Sequence, residues 1–166
     1  MARTNRRTIL MWVLYALFFL VVLLLQDAVF SKYSFWGVRI VLAPLATACV
    51  AAHTGTEKGG LFCLLCGLFW ALTGASDGGI TLFFMTFAGV LCGYLCSAFF
   101  HPRVLPVAVL SLLSLAMCLV PASLVRIYLE GLNLRSLAPV GLQVLLAVPA
   151  APLLHWCSKA IRKVGQ

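Results

Sequence analysis

The chain has 166 residues, is 63% hydrophobic and only 10% charged, and carries a formal net charge of +8 with a mean hydropathy of +1.09. A soluble domain of this size has too little interior to hide so much apolar surface, so the composition points to an integral membrane protein with almost no mass outside the bilayer. The basic residues gather at chain ends and in loops, where topology signals and anionic lipid headgroups account for them, so the charge does not argue for a nucleic-acid partner.

Runs of apolar residues long enough to cross a bilayer recur from end to end. Residues 1–7 are polar and carry Arg3, Arg6 and Arg7. A first span is expected over 8–29; it is longer than a signal-peptide core and no A-x-A-like site follows it, so it reads as a permanent helix. Gln26 and Asp27 close it. A second span is expected over 35–52, with Trp36 as interfacial anchor, Arg39 reaching back to the same interface and Pro44 kinking or breaking the helix. A polar loop with Glu57 and Lys58 follows.

The third span, 59–74, is short, and Asp77-Gly78-Gly79 signals a turn before the fourth span, 80–100. His101-Pro102-Arg103 ends that span. The fifth span, 104–128, contains Pro121, which should bend it. Arg126 and Glu130 are spaced to pair on a helix. Asn133 to Ser136 form a polar loop, and the sixth span, 137–157, is expected to be irregular near VPAAP. Six spans make one compact all-α membrane domain over residues 1–166 with both termini on one side. That side holds Arg3, Arg6, Arg7, Lys58, Arg103, Lys159, Arg162 and Lys163, against Lys32, Arg39, Arg126 and Arg135 opposite. The positive-inside rule then places both termini in the cytoplasm.

Small residues mark where helices should meet. Gly60, Gly67 and Gly74 recur every seven residues, with Cys63 and Ala71 on about the same helical side, and Gly89 and Gly93 form a GxxxG pair. Such stripes let backbones approach where no water drives helices together. The first span is bulky throughout, and Trp12, Phe18 and Phe19 are expected to face lipid or a partner. The middles of the spans hold no acidic residue, which argues against an ion-coupled transporter or a membrane hydrolase. Cys63-x-x-Cys66 and Cys92-x-x-x-Cys96 lie in apolar runs and read as small hydrophobes rather than metal ligands. His53, His101 and His155 lie near span ends and read as loop or interface residues. Gln26 and Gln143 are the notable neutral polar residues and are expected to bond between helices or to line a small cavity. No catalytic, metal or cofactor site is expected.

The order of features carries a resemblance. Leu25-Gln26 ends the first span and Pro44 lies in the second. Gly67-Leu68-Phe69-Trp70-Ala71-Leu72 forms the third, Gly78-Gly79 the turn, and Gly93-Tyr94-Leu95-Cys96 closes the fourth. Over roughly residues 10–100 this order resembles the MreD family, the bacterial rod shape-determining membrane proteins; the last two spans match in length and hydrophobicity alone. Ala71 stands where that family often has an acidic residue, Pro44 lacks the acidic residue that commonly follows, and Cys96 precedes Ser97 where a small residue often falls. The resemblance implies a non-enzymatic protein of the bacterial cytoplasmic membrane. Its implied partners are an MreC-like bitopic protein and, directly or indirectly, MreB and the peptidoglycan synthases, with a homo-oligomer left open. It also implies a fold like the S components of energy-coupling-factor vitamin transporters, and a vitamin-binding S component is the alternative reading. The Ala-x-x-x-Ala docking surface usual on the first helix of an S component is absent from LMWVLYALFFLVVLLLQ.

Overall fold

The computed structural model describes residues 2–30, 40–73, 79–99, 103–131 and 137–165. Gly74, the segment from Lys32 to Arg39, the Asp77-Gly78 turn, His101-Pro102 and the Asn133–Ser136 loop lie outside the described residues. Those described are helical apart from short connections and contain no strand. Helix α1 is Ala2–Leu25 and runs into a π-helical turn, Gln26–Phe30; α2 is Ala43–Thr54, α3 Thr56–Leu72, α4 Gly79–Ala98, α5 Val104–Glu130, α6 Ala138–Ala147 and α7 Ala150–Gly165.

Among the described residues three stretches are long and apolar enough to cross a bilayer: Arg6–Ala28, Gly79–Ala98 and Val104–Glu130. The pair α6 and α7 supplies a fourth if taken together, bent by 48° at the break between them. Helices α2 and α3 have 12 and 17 residues. At 1.5 Å per residue they are about 18 and 26 Å long, short of a hydrocarbon core of about 30 Å.

The shortness of α2 has a cause at Pro44. Instead of kinking a longer helix, the proline sits in its first turn, where a missing N–H costs nothing. Residues 40–42 are non-helical, and α2 begins only at Ala43. It ends at Gly55, whose φ of 88° is a backbone that glycine adopts without strain. Pro121 lies inside α5, which is continuous through it. The irregularity at VPAAP is a turn at Val148-Pro149, and α7 runs on past Cys157 to Gly165.

Helix α2 is hidden on all sides: every residue from Ala43 to His53 is buried. Its many alanines let α1, α3, α4, α5 and α7 close around it. A helix apolar all round belongs at such a centre. The surrounding helices turn Leu17, Leu24, Phe83, Phe87, Leu113 and Leu124 outward, a surface that suits lipid.

Contacts along the helices fix their directions. Trp12 and Tyr15 of α1 meet Phe62 of α3, so these two helices start together. Gly93, late in α4, lies at Gly55 and Thr56. Tyr15 also bonds Ser158, midway along α7, and His155, one turn earlier, meets His53 at the end of α2 beside Gly55. Arg6, Arg7, Lys58, Arg103, Lys159, Arg162 and Lys163 therefore share one end of the bundle.

Candidate functional site

Small residues join α3 and α4 along a close seam. A methyl group at Gly93 would lie 2.8 Å from the Gly55 carbonyl and 2.9 Å from the Thr56 Cα; one at Gly89 would lie 2.7 Å from the Cys63 Cβ and against its Sγ. The Gly89/Gly93 pair thus receives the start of α3 directly. Gly60 and Gly67 meet side chains instead, with Val90 Cγ2 at 2.6 Å and Leu82 Cδ1 at 3.0 Å from the added carbon. Gly59, outside the seven-residue stripe, is the glycine of α3 that meets a helix backbone, 2.7 Å from the Cα of Ala51 on α2.

Beside this rigid centre, α1 and α3 leave an open groove of about 640 Å³. Ala16 and Leu20 line it from α1, Leu61 and Leu65 from α3, and the buried rings of Phe19 and Phe62 close its base. Lys58, at the basic end, is the one charged residue lining it among the described residues. Phe19 is buried, and Trp12 and Phe18 are half-buried, so these three do not form the outer surface of α1, while Trp12 and Phe19 line the groove. Ile9, Val13, Leu17 and Leu24 are the outward side chains of α1. A helix bulky on every side carries no period to mark its inner face.

A second arrangement lies where α2 ends against α7. The rings of His53 and His155 lie against each other, with centroids 4.9 Å apart and planes tilted by 36°. Both are buried, and none of their four ring nitrogens makes a hydrogen bond. The backbone places them: His53 is in the last turn of α2, and His155 lies on the α7 face that also buries Ala151, Leu154 and Ser158. Ser158 Oγ donates to the Cys49 carbonyl at 3.3 Å, and Tyr15 Oη donates to the Ser158 carbonyl at 3.3 Å. These histidines are buried, not in loops; the signal for it was polar spacing on α7, where His155, Ser158 and Arg162 recur on one side.

Gln26 is buried and bonds the start of α2, whereas Gln143 is half-buried on α6. Cys49, Cys63, Cys66, Cys92, Cys96 and Cys118 are buried free thiols, and Cys157 is exposed. Among the described residues no three His, Cys, Asp or Glu side chains are grouped to hold a metal ion. Fold and composition together define the chain as an all-helical protein of membrane type. Comparison with family models, curated proteins and solved structures finds no match for it.

Proposed function

We propose that this chain is a non-enzymatic, multi-pass component of the bacterial cytoplasmic membrane that works by holding a partner's transmembrane helix, in the manner of the MreD-like proteins it resembles. The partner is an MreC-like bitopic protein, and through it the cell-shape machinery with MreB and the peptidoglycan synthases. The observation that carries this reading is the α1–α3 groove: open along one side, lined by apolar side chains apart from Lys58 at its basic end, and backed by a close-packed centre. A groove whose lining is apolar apart from Lys58 at one end favours a helix held by packing over a water-soluble vitamin, whose polar groups need several placed donors and acceptors.

In this reading the chain crosses the membrane six times, with the short helices α2 and α3 completing their crossings through the segments beside them. Both termini lie in the cytoplasm. The gathering of seven basic residues from four separate segments at one end supports that orientation.

The test is a mild-detergent pull-down of the tagged protein from its own membrane, read by mass spectrometry. Recovery of a bitopic protein with peptidoglycan synthases is the expected result. Recovery of ATP-binding-cassette ATPases with a coupling subunit would replace this reading with vitamin uptake.

A further inference from the structure

We infer that His53 and His155 form a proton-binding latch between α2 and α7, closed while both rings are neutral and opened by acid. The inference is independent of the groove and of its occupant.

The pair is an unusual object in an apolar bundle. Buried polar groups ordinarily find partners, and here two adjacent rings leave all four nitrogens unpaired. Two neutral imidazoles tolerate this arrangement, because two uncharged rings 4.9 Å apart, tilted by 36°, do not repel each other. A proton changes the balance. It creates a buried cation against a second ring, repelled by the charges of Arg162 and Lys159 nearby. The remaining neighbours offer no compensation. Tyr15 of α1 spends its hydroxyl on Ser158. Cys49 of α2, one turn before His53, is met by Ser111 of α5 and Cys96 of α4. On α3, Glu57 and Lys58 are exposed, as is Arg103 ahead of α5. Two imidazoles beside two cations, with no carboxylate or thiol joining them in a cluster among the described residues, suit a proton rather than a divalent cation.

The element being latched is built to move. The Val148-Pro149 turn and the 48° bend make a hinge between α6 and α7. The hydrogen bonds from Tyr15 to Ser158 and from Ser158 to Cys49 that link α7 to α1 and α2 are 3.3 Å each, longer than the usual O–H···O distance. Its outer face carries Trp156, Lys159 and Lys163, all exposed. That combination of ring and cations suits the headgroup layer, where a released amphipathic helix can rest.

The direction of the effect follows from linkage. The open form takes up the proton and the closed form resists it, so closure is complete above the ordinary imidazole range and is lost as pH falls through it. One proton raises the opening constant by up to about tenfold per pH unit, and two by up to about a hundredfold.

Hydrogen exchange read by mass spectrometry on the full-length protein in lipid nanodiscs tests this, from about pH 8 to about pH 5, the range bracketing an ordinary histidine. After correction for intrinsic exchange rates, protection of residues 150–165 is expected to fall at least about tenfold, while that of α4 stays level. The double variant His53→Gln/His155→Gln, which takes up no proton, is expected to show a flat α7 profile. A flat profile in the natural protein overturns the latch, and so does an acid response that survives in the double variant. Should that variant fail to fold, histidine nitrogen resonances of the natural protein decide: rings that stay neutral while α7 opens overturn the inference.

Discussion

Gln26 Oε1 accepts a hydrogen bond from the backbone N–H of Leu42 at 2.8 Å and, with its second lone pair, another from Ala43 at 3.1 Å. A side chain at the end of one helix thus caps the beginning of another. The first N–H groups of a helix have no partner within it, and burial in an apolar bundle removes the water that would serve them. Pro44 has no N–H to satisfy. Gln26 and Pro44 together let the chain begin a helix in the interior, and the π-helical turn that Gln26 opens is where α1 supplies the residue for it.

Gln26→Leu strands two buried donors and is expected to cost about 1–3 kcal/mol for each group left unsatisfied. Gln26→Glu keeps the acceptor and sets a negative charge at the positive end of α2, so it should retain most of the stability at neutral pH. Unfolding by sodium dodecyl sulfate, followed by circular dichroism, ranks the two. A leucine variant as stable as the natural protein would remove the cap from the account.

The glycine substitutions should sort by what the new methyl group meets. Gly93→Ala and Gly59→Ala press on backbone and are expected to destabilise by about 1–3 kcal/mol, the usual range for overpacking. Gly67→Ala meets the tip of Leu82, a flexible side chain, and should cost less than about 1 kcal/mol. The same unfolding assay reads the order, and equal costs at all three positions would contradict it.

Filling the groove should separate partner capture from folding. Ala16→Trp places an indole between α1 and α3 without entering the core, since Ala16 is exposed. Leu24→Trp, also on the outer side of α1 but away from the groove, is the control. The first variant is expected to keep its thermal stability and lose the bitopic partner in the pull-down, and the second to keep both. Capture undiminished by Ala16→Trp would move the partner to another face.

Thiol labelling checks the burial pattern. Cys157 is exposed and the other six cysteines are buried, so a maleimide should add once to the folded protein within minutes, and Cys157→Ser should abolish that adduct. The count is read by intact mass, and fast addition at a second cysteine would show the core to be looser than described.

The long spans were legible in sequence because bilayer width sets their length. The expected 80–100 and 104–128 correspond closely to Gly79–Ala98 and Val104–Glu130, and the expected 8–29 to Arg6–Ala28. The start of α2 was not legible. Hydropathy treats extended and helical apolar residues alike, and a proline within an apolar run signals a kink as readily as a helix start. That Trp12, Phe18 and Phe19 lie off the outer surface of α1 was hidden by a helix that is apolar all round. The His53–His155 contact was invisible for another reason: the two residues are brought together by tertiary packing, and each by itself sits near the end of an expected span as any interfacial histidine would. The Gly89/Gly93 pair was visible as a motif, but the carbonyl and Cα it faces belong to the α2–α3 junction, which no local pattern announces.

The bond from Tyr15 to Ser158 joins residues 143 positions apart, and that from Ser158 to Cys49 joins residues 109 apart. At about 5–20 residues per second, roughly 7–30 seconds of translation separate the first tyrosine from its acceptor. Until α7 is made, α1 and then α2 stand with the face meant for α7 uncovered. Insertion and closure are therefore distinct events in the life of the chain. A nascent polypeptide stalled before Ala150 would be lodged in the bilayer but unsealed, with the polar backbone at Cys49 and the ring of His53 open to whatever surveys unfinished membrane proteins.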